Sequence, residues 1–173
     1  WEQDRVANQG GGRLEFDRKV IFAGQDSLNT HLLILLAALH PGVSKITGGS
    51  GLKLVNLQAV QDLLPQIGAR ATPLVPGSQG LPLRIEASGM VNDTTHIPES
   101  ATWELVASLV LLAPLMQTPA KKVAIQCPNW GGWSGQLGRV LRILEECSIQ
   151  VNQDKETISV SSLSGPWPDN PAL

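Results

Sequence analysis

The segment 127–134, CPNWGGWS, holds the residue types most able to bind or react with a ligand. Trp130 and Trp133 flank two glycines, and aromatic side chains on a flexible loop can stack on a sugar or a base, or anchor a partner protein. Core packing of at least one of these indoles explains the pattern equally well. Cys127 could act as a nucleophile, but no histidine is obviously paired with it, so an unreactive thiol is favoured.

Two further patterns could bind ions. The glycine-rich turn 48–51, GGSG, precedes a predicted helix, whose backbone N–H groups could hold an anion. It lacks the Gly-x-x-x-x-Gly-Lys-Ser/Thr spacing of a phosphate-binding loop, so a tight turn is favoured. The three histidines are scattered and the sequence has no CxxC pair, so we predict no metal site and no cofactor. Cys127 and Cys147 are expected to be reduced thiols rather than a disulfide.

The composition excludes several classes of function. The chain has 173 residues, of which 42% are hydrophobic and 16% charged, which suits one medium domain or two small repeats with a buried core. Thirteen Lys and Arg against fifteen Asp and Glu give a net charge of -2, which argues against a nucleic-acid partner. The longest apolar run, 32–39, is too short to span a membrane. We therefore expect a soluble globular protein.

The two ends of the chain show no periodic pattern. Residues 1–12 are polar and end in three glycines, which predicts a flexible lead-in, and the proline-containing segment 163–173 predicts an irregular tail. The first residue is Trp1 rather than methionine, which we interpret as a processed or truncated chain. We expect a cytoplasmic location, or the interior of an organelle if a targeting segment has been removed.

The middle of the chain predicts alternating strands and helices. Apolar alternation predicts a strand or hairpin over 13–23, and an apolar run predicts a buried helix over 28–40 that stops at the Pro-Gly that follows. Strands over 43–47, 70–75 and 83–87 complete a β-α-β-α-β-β unit. Its second helix, over 54–66, carries one apolar stripe, formed by Leu57, Val60, Leu63, Leu64 and Ile67.

The same order returns in the second half. A helix over 100–116 has Ser100 as its predicted N-cap, a leucine stripe that includes Leu115, and Trp103 packed into the core. The helix starts at Leu28 and Ala101 lie about 70 residues apart, which is typical of a duplicated supersecondary unit. The remaining elements are a strand over 121–126, a helix over 134–147, and strands over 148–151 and 157–160.

This pattern predicts an α/β (α+β) fold. We expect two tandem β-α-β-α-β-β repeats, residues 13–90 and 91–162. The alternation of strand and helix favours parallel pairing and right-handed crossovers, with helices packed against one face of each of two small mixed sheets.

Several of these residues resemble the enolpyruvyl transferases, the family of the EPSP synthases and the UDP-N-acetylglucosamine 1-carboxyvinyltransferases. Residues 24–29 (GQDSLN) and 32–39 (LLILLAAL) resemble the turn and the buried helix of the first repeat in that family. Residues 107–108 (AS), 112–115 (LAPL) and 144–146 (LEE) resemble a second repeat of the UDP-N-acetylglucosamine enzymes. The resemblance implies the repeated fold of that family, over two of the six repeats such enzymes carry.

The resemblance also implies where a catalytic apparatus would lie. The family lysine that holds the phosphate and carboxylate of phosphoenolpyruvate aligns with Asp26 or Leu28, and a family arginine aligns with Val106. Asn29 matches an asparagine that contacts the sugar substrate in the family. Enolpyruvyl transfer needs cations for the phosphate dianion and an acid/base pair for the protons. The aligned positions therefore lack the cations that this reaction requires.

The general acid of the family, a Cys or Asp on a mobile loop, aligns nearest Trp130, and Cys127 stands about three residues earlier. These losses favour a non-catalytic enolpyruvyl-transferase-like module that binds another protein or serves as a structural subunit. Its candidate ligand-binding residues are Asn29, Trp130 and Trp133, and Cys127 is the one candidate for catalysis. We expect its partner to be another protein chain or a missing second domain.

The alternative is a fragment or a divergent member of an active UDP-N-acetylglucosamine 1-carboxyvinyltransferase. Such a protein would bind a UDP-sugar and transfer enolpyruvyl to it from phosphoenolpyruvate. Substrate binding separates the two interpretations, because only the alternative requires a working sugar site.

Overall fold

Each half of the chain contributes one four-stranded sheet. The computed structural model describes residues 16–128 and 130–163. The first half forms β1 (Val20–Phe22), β2 (Gly42–Thr47), β3 (Ala69–Pro73) and β4 (Leu83–Ala87), in the order β1-β2-β4-β3. The second half forms β5 (Thr94–His96), β6 (Lys122–Gln126), β7 (Val151–Gln153) and β8 (Thr157–Ser161), in the order β5-β6-β8-β7. In both sheets the first two strands are parallel and the other neighbours are antiparallel.

The helices lie between these strands along the chain. They are α1 (Ser27–Leu39), α2 (Gln58–Leu63), α3 (Trp103–Leu112) and α4 (Ser134–Glu146). Single 3-10 turns precede α2 (Ser50–Lys53) and α4 (Trp130–Trp133), and follow α2 (Leu64–Ile67) and α3 (Ala113–Leu115). The predicted α/β class, with helices packed against two small mixed sheets, is confirmed.

The core lies where the helices cover the inner face of each sheet. Alternation along the strands creates this face: in β2, Ser44 and Ile46 are buried, whereas Val43 and Lys45 lie on the other face. α3 packs against both α1 and α4. Seven of the ten residues of α3 are buried, so it is surrounded on nearly all sides. The largest fully buried side chains include Ile34, Leu35, Ile46, Leu83, Ile85, Leu105 and Leu109.

One glutamine side chain joins the two halves. Gln66 lies in the 3-10 turn after α2, and its carboxamide bonds to the backbone of His96 at the end of β5. Gln66 Nε2 donates to His96 O at 2.9 Å, and His96 N donates to Gln66 Oε1 at 2.7 Å. Asn92 Nδ2 in turn donates to Gln66 O at 2.8 Å. The carboxamide thereby pairs with the edge strand as a neighbouring strand would.

Gly68 ends the helical segment that carries Gln66. Its φ of 73° lies in the left-handed region, which glycine adopts without strain. A Cβ at this position would also collide with the carbonyl oxygen of Met90. The residue is therefore required both by its conformation and by the close approach of another chain segment.

The second predicted helix is shorter than its apolar pattern suggests. The sequence predicts a helix over 54–66, but α2 begins at Gln58, and Leu54 is 90% exposed. Asn56 Oδ1 accepts a hydrogen bond from Gln58 N at 2.8 Å, and this local turn replaces a helical one. The predicted apolar stripe is buried as expected, from Leu57 to Ile67.

The predicted ends of α3 are also wrong. Ser100 is not its N-cap, because the helix begins at Trp103 and Thr102 takes the N-cap position in an extended conformation. At the other end Pro114 has no N–H, so the chain finishes in a 3-10 turn and Leu115 is 40% exposed instead of packed. Trp103 is half-buried against the core.

Three predictions about strands need correction. The sequence predicts a strand or hairpin over 13–23, but the structure has only the short β1, which follows a turn. Residues 13–15 of the predicted range lie outside the described residues. The strand expected over 148–151 begins only at Val151, because Ser148 has a left-handed φ of 60° at the end of α4.

β5 is not predicted by the sequence at all. Parallel pairing is confirmed for the β1–β2 and β5–β6 pairs and is wrong for the others.

The predicted lead-in, 1–12, and all of the predicted tail except Leu163 lie outside the described residues. Within the part of the chain that is described, helices are too short or too polar to cross a membrane.

His31 is a buried titratable group at the contact between α1 and α3. It is 4% exposed, and its Nδ1 donates to Ser27 O at 2.8 Å. Burial lowers the pKa of His31 below its ordinary value, although the Ser27 carbonyl and the charge of Glu104 act in the opposite direction. The neutral imidazole is therefore the form that packs between the helices.

We expect Gln66→Leu to lower the free energy of unfolding by about 1–2 kcal/mol, because His96 N and O lose two hydrogen bonds. Urea denaturation measures this loss. Gln58→Leu is the matched control, since it removes one exposed bond to Asp62 within a helix and should cost about 0.2–0.5 kcal/mol. Equal losses in the two variants would mean that Gln66 does not join the halves.

Acid should destabilise the fold through His31. The unfolded state takes up a proton near the ordinary pKa of 6.5, whereas the buried folded state takes it up at lower pH. The contribution of His31 is thus fully present above pH 6.5 and is lost as the pH falls towards the folded pKa. Urea denaturation at several pH values should show this decline, and His31→Leu should reduce it. An unchanged decline in that variant would contradict the assignment.

Candidate functional site

The carboxyl ends of β5 and β6 lie side by side because the two strands are parallel. His96 is opposite Gln126 in the last pair of the ladder. Beyond these residues, one chain segment leads to α3 and the other to the 3-10 turn before α4. A cavity of about 290 Å³ lies between the two segments, and its lining is formed by His96, Ile97, Pro98, Glu99, Gln126, Cys127, Pro128 and Trp133.

The lining of this cavity is mixed, with one carboxylate and no lysine or arginine among the described residues. Prolines, Ile97 and an indole form the apolar part, whereas His96 supplies an imidazole and Gln126 a carboxamide. Glu99 is the carboxylate. Such a lining fits a small neutral ligand with an apolar face, or an inserted side chain, better than it fits an anion.

Cys127 lines this cavity and is 1% exposed. Its N–H donates to Glu156 O at 2.7 Å, and its carbonyl accepts from Trp130 N at 3.2 Å. These backbone bonds hold the start of the loop against the β7–β8 turn. Cys127 and Cys147 do not form a disulfide, so the prediction of reduced cysteines is confirmed.

The two tryptophans of the loop have different positions. Trp133 lines the cavity, whereas Trp130 is not among its lining residues. Trp130 Nε1 donates to Asp154 O at 3.0 Å in the turn between β7 and β8. The carboxylate of Asp154 organises this turn by accepting from the N–H groups of Glu156 and Thr157, and these bonds lower the pKa of Asp154. The structure therefore brings one indole to the cavity and fixes the other beside it.

Asn29 lies in the first turn of α1, which follows β1 in the other half. Its backbone N–H donates to Asp26 Oδ1 at 2.8 Å, so Asp26 is the N-cap of α1. The side chain of Asn29 is exposed and does not line the cavity beside Cys127. Asp26 and Leu28, the two positions that could align with the family lysine, are the N-cap carboxylate and a residue of the first turn of α1, and Val106 is fully buried in α3.

The glycine turn after β2 is a tight turn, as predicted. Gly49 N donates to Gly24 O at 2.7 Å, so this N–H is engaged by the backbone. The helical segment that follows, Ser50–Lys53, is a single 3-10 turn. It is too short to have the helix dipole that attracts an anion to a helix N-terminus.

Sequence reasoning missed the part of the cavity formed by residues 96–99. The order of elements in the first repeat could have revealed it. That repeat begins with a strand, so the second repeat should also have a strand before α3. The carboxyl end of that strand then lies beside the loop after β6. Within residues 16–128 and 130–163, no three His, Cys, Asp or Glu side chains are grouped as they would be around a metal ion.

Comparison with known proteins gives a partial match to one family. No protein-family model matches the chain. The chain is 28% identical over 107 residues to the 3-phosphoshikimate 1-carboxyvinyltransferase of Methanothermobacter thermautotrophicus, which is 62% of this chain and 25% of that protein. Two structures of EPSP synthase from Acinetobacter baumannii match it with TM-scores of 0.64 and 0.65, at 14% and 16% identity. They cover 86% and 85% of this chain, which spans 31% of each.

The fold is therefore that of part of an EPSP synthase. The chain spans about a quarter of the length of the curated relative and about a third of the length of the solved structures.

The positions of the two loop tryptophans can be tested by thiol labelling of Cys127. In a Cys147→Ser background, Trp133→Ala should increase the labelling rate several-fold, because it removes a wall of the cavity beside Cys127. Trp130→Ala is the matched control from the same loop, and it should change the rate much less. If the control accelerates labelling as strongly, Trp133 has no special place in the cavity wall.

Proposed function

Because this chain is related to the enolpyruvyl transferases over part of their length, we propose that it is a non-catalytic module of that fold that acts by binding another protein. The observation that supports the proposal is the charge of the cavity at the ends of β5 and β6. Among the described residues its lining includes Glu99 and no lysine or arginine.

Phosphoenolpyruvate carries a phosphate and a carboxylate, and both need cationic or N–H donors when they leave water. A charge-assisted hydrogen bond contributes roughly 1.5–3 kcal/mol to binding, and several are needed for such a ligand. Glu99 would instead repel it. Three cations of the first sheet, Lys45, Arg70 and Arg84, lie on its outer face, away from the helices.

The cavity itself supports a role in binding. Trp133 gives it an aromatic wall, and the buried Cys127 contributes to its lining. We assign Trp133 to contact with a neutral ligand or a side chain of the partner. Asn29, in the first turn of α1, and Trp130, on the same loop as Trp133, remain predicted contacts in our proposal.

We also propose that residues 13–90 and 91–162 are two copies of one structural unit. The identical strand order and strand directions of the two sheets support this division. So does the position of Gln66 and His96, which meet across the boundary between the copies.

A second candidate is one wall of an active transferase whose cations come from parts of the protein outside this chain. The match over 107 residues to a 3-phosphoshikimate 1-carboxyvinyltransferase favours it. The name of that relative also points to 3-phosphoshikimate, rather than a UDP-sugar, as the acceptor to test.

Calorimetric titration of the folded chain distinguishes these functions. We expect no saturable heat with phosphoenolpyruvate up to millimolar concentration, alone or with 3-phosphoshikimate or UDP-N-acetylglucosamine, and no phosphate release. Circular dichroism confirms that the sample is folded. Saturable binding of phosphoenolpyruvate would overturn the proposal. Binding of either acceptor that Asn29→Ala weakens would favour the second candidate.

A further inference from the structure

The outer faces of the two sheets, which point away from the helices, carry different side chains. In the first sheet, one row across neighbouring strands consists of Val20, Lys45 and Arg84. The same row of the second sheet consists of Thr94, Ala124 and Ser159. The outer face of the first sheet is therefore apolar and cationic where that of the second sheet is polar or small and uncharged.

The apolar part of this outer face lies on β1 and β2. Val20 and Phe22 are 70% and 67% exposed, and Val43 is 37% exposed. Ile21 packs against the core, so the alternation of the strand turns its two neighbours outwards. The second sheet has polar residues at the three equivalent positions, which are Thr94, His96 and Lys122. Exposed apolar side chains grouped in this way mark an interaction surface.

Cations without a counterion lie beside the apolar part. Lys45 projects from β2 and Arg70 from β3, and among the described residues neither side chain forms an ion pair. Glu86 is directly opposite Arg70 in the ladder, but its Oε1 accepts from Arg84 Nη2 at 2.8 Å instead. Two positive charges on this face are thus available to a ligand, in a chain whose net charge is -2.

A shallow groove of about 490 Å³ extends from the apolar part to these cations. Val43, Arg70 and Glu86 contribute to its lining, so an apolar side chain and a guanidinium meet in one depression. The groove shares no lining residue with the cavity beside Cys127. The outer face is therefore a second candidate contact, separate from that cavity.

We propose that the outer face of the first sheet binds an acidic amphipathic helix of a partner protein. Its apolar stripe would cover Val20, Phe22 and Val43. Neighbouring strands are about 4.8 Å apart, so β3 lies about 10 Å from β2. A helix with its side chains is about 10 Å wide, so a helix lying along β1 and β2 can reach Lys45 and Arg70 with carboxylates on one flank. The inference rests on the proposed binding function and names the chemistry of the partner.

Other occupants fit this face less well. A nucleic acid would use the cations through its phosphates but would leave the apolar side chains in water. A second copy of this chain, docked through the same face, would bring Lys45 and Arg70 against their own equivalents, and like charges repel. An acidic amphipathic helix satisfies both parts of the face at once.

A labelled synthetic peptide, with leucine on one helical face and glutamate on the other, is the probe for the full chain. Fluorescence anisotropy should show saturable binding that weakens several-fold as salt is raised to the physiological level. The same peptide with glutamine in place of every glutamate should bind about tenfold more weakly, because it makes no ion pairs. Equal affinities for the two peptides would overturn the inference.

The second sheet supplies the substitutions that test the surface. Val20→Thr and Lys45→Ala introduce the residues that the second sheet has at these positions. Each should weaken binding of the acidic peptide about two- to fivefold, and only Lys45→Ala should reduce the salt dependence. Lys122→Ala is the matched control, since Lys122 is an exposed lysine on the outer face of the second sheet. An equal loss in this control would mean non-specific attraction and would overturn the inference.

Chemical-shift mapping of the isotopically labelled chain locates the bound peptide without any substitution. The amide signals of β1, β2, β3 and β4 should shift, and those of the second sheet should change little. Shifts centred on Cys127 and Trp133 would place the peptide in the cavity and overturn the inference. A dimer in sedimentation velocity that Val20→Thr dissociates would make a second copy the occupant and overturn the choice of partner.

Two further results separate this inference from its alternatives. Displacement of the acidic peptide by a single-stranded oligonucleotide at lower concentration than by unlabelled peptide would overturn the choice of a protein partner. Binding of phosphoenolpyruvate in the calorimetric titration would remove the non-catalytic assignment. It would leave the outer face unaffected, because the groove and the cavity share no residue.

Discussion

The parallel pairing of the first two strands in each sheet determines where most of the other features lie. Two parallel strands joined by a helix have their carboxyl ends at the same edge, so the segments that leave them are neighbours. In the second half this brings residues 97–99 and the tryptophan loop together around one cavity. The same geometry places the outward backbone groups of Phe22 and His96 at equivalent positions on open edges.

The sequence predicts the helices and their buried faces well, because the long apolar runs of α1 and α3 have few alternative structures. It predicts local boundaries less well. Asn56 forms a turn with its own backbone, and Pro114 tightens the end of a helix, and neither effect appears in an apolar pattern. β5 has only three residues and gains its stability from β6 and Gln66, so nothing local in the sequence marks it as a strand.

Less of the candidate site could be predicted. The sequence identifies the loop that holds Cys127 and Trp133, since cysteine and clustered tryptophans are rare. It does not reveal that Trp130 bonds to Asp154, or that Glu99 and Cys127 line the same cavity, because these features join segments that are distant in the chain. The chain has the fold of part of an EPSP synthase, and a shared fold does not by itself determine function.

The position of α3 has a consequence for how the protein unfolds. The two sheets share no strand, and each is built from a continuous part of the chain, so they could be mistaken for independent domains. α3, however, buries its side chains against α1 from one half and α4 from the other. Separating the halves would expose this helix along most of its length, at a cost that neither sheet can offset alone. We therefore expect the described residues to unfold as a single cooperative unit, and a cut between the halves to give two pieces that are stable only together.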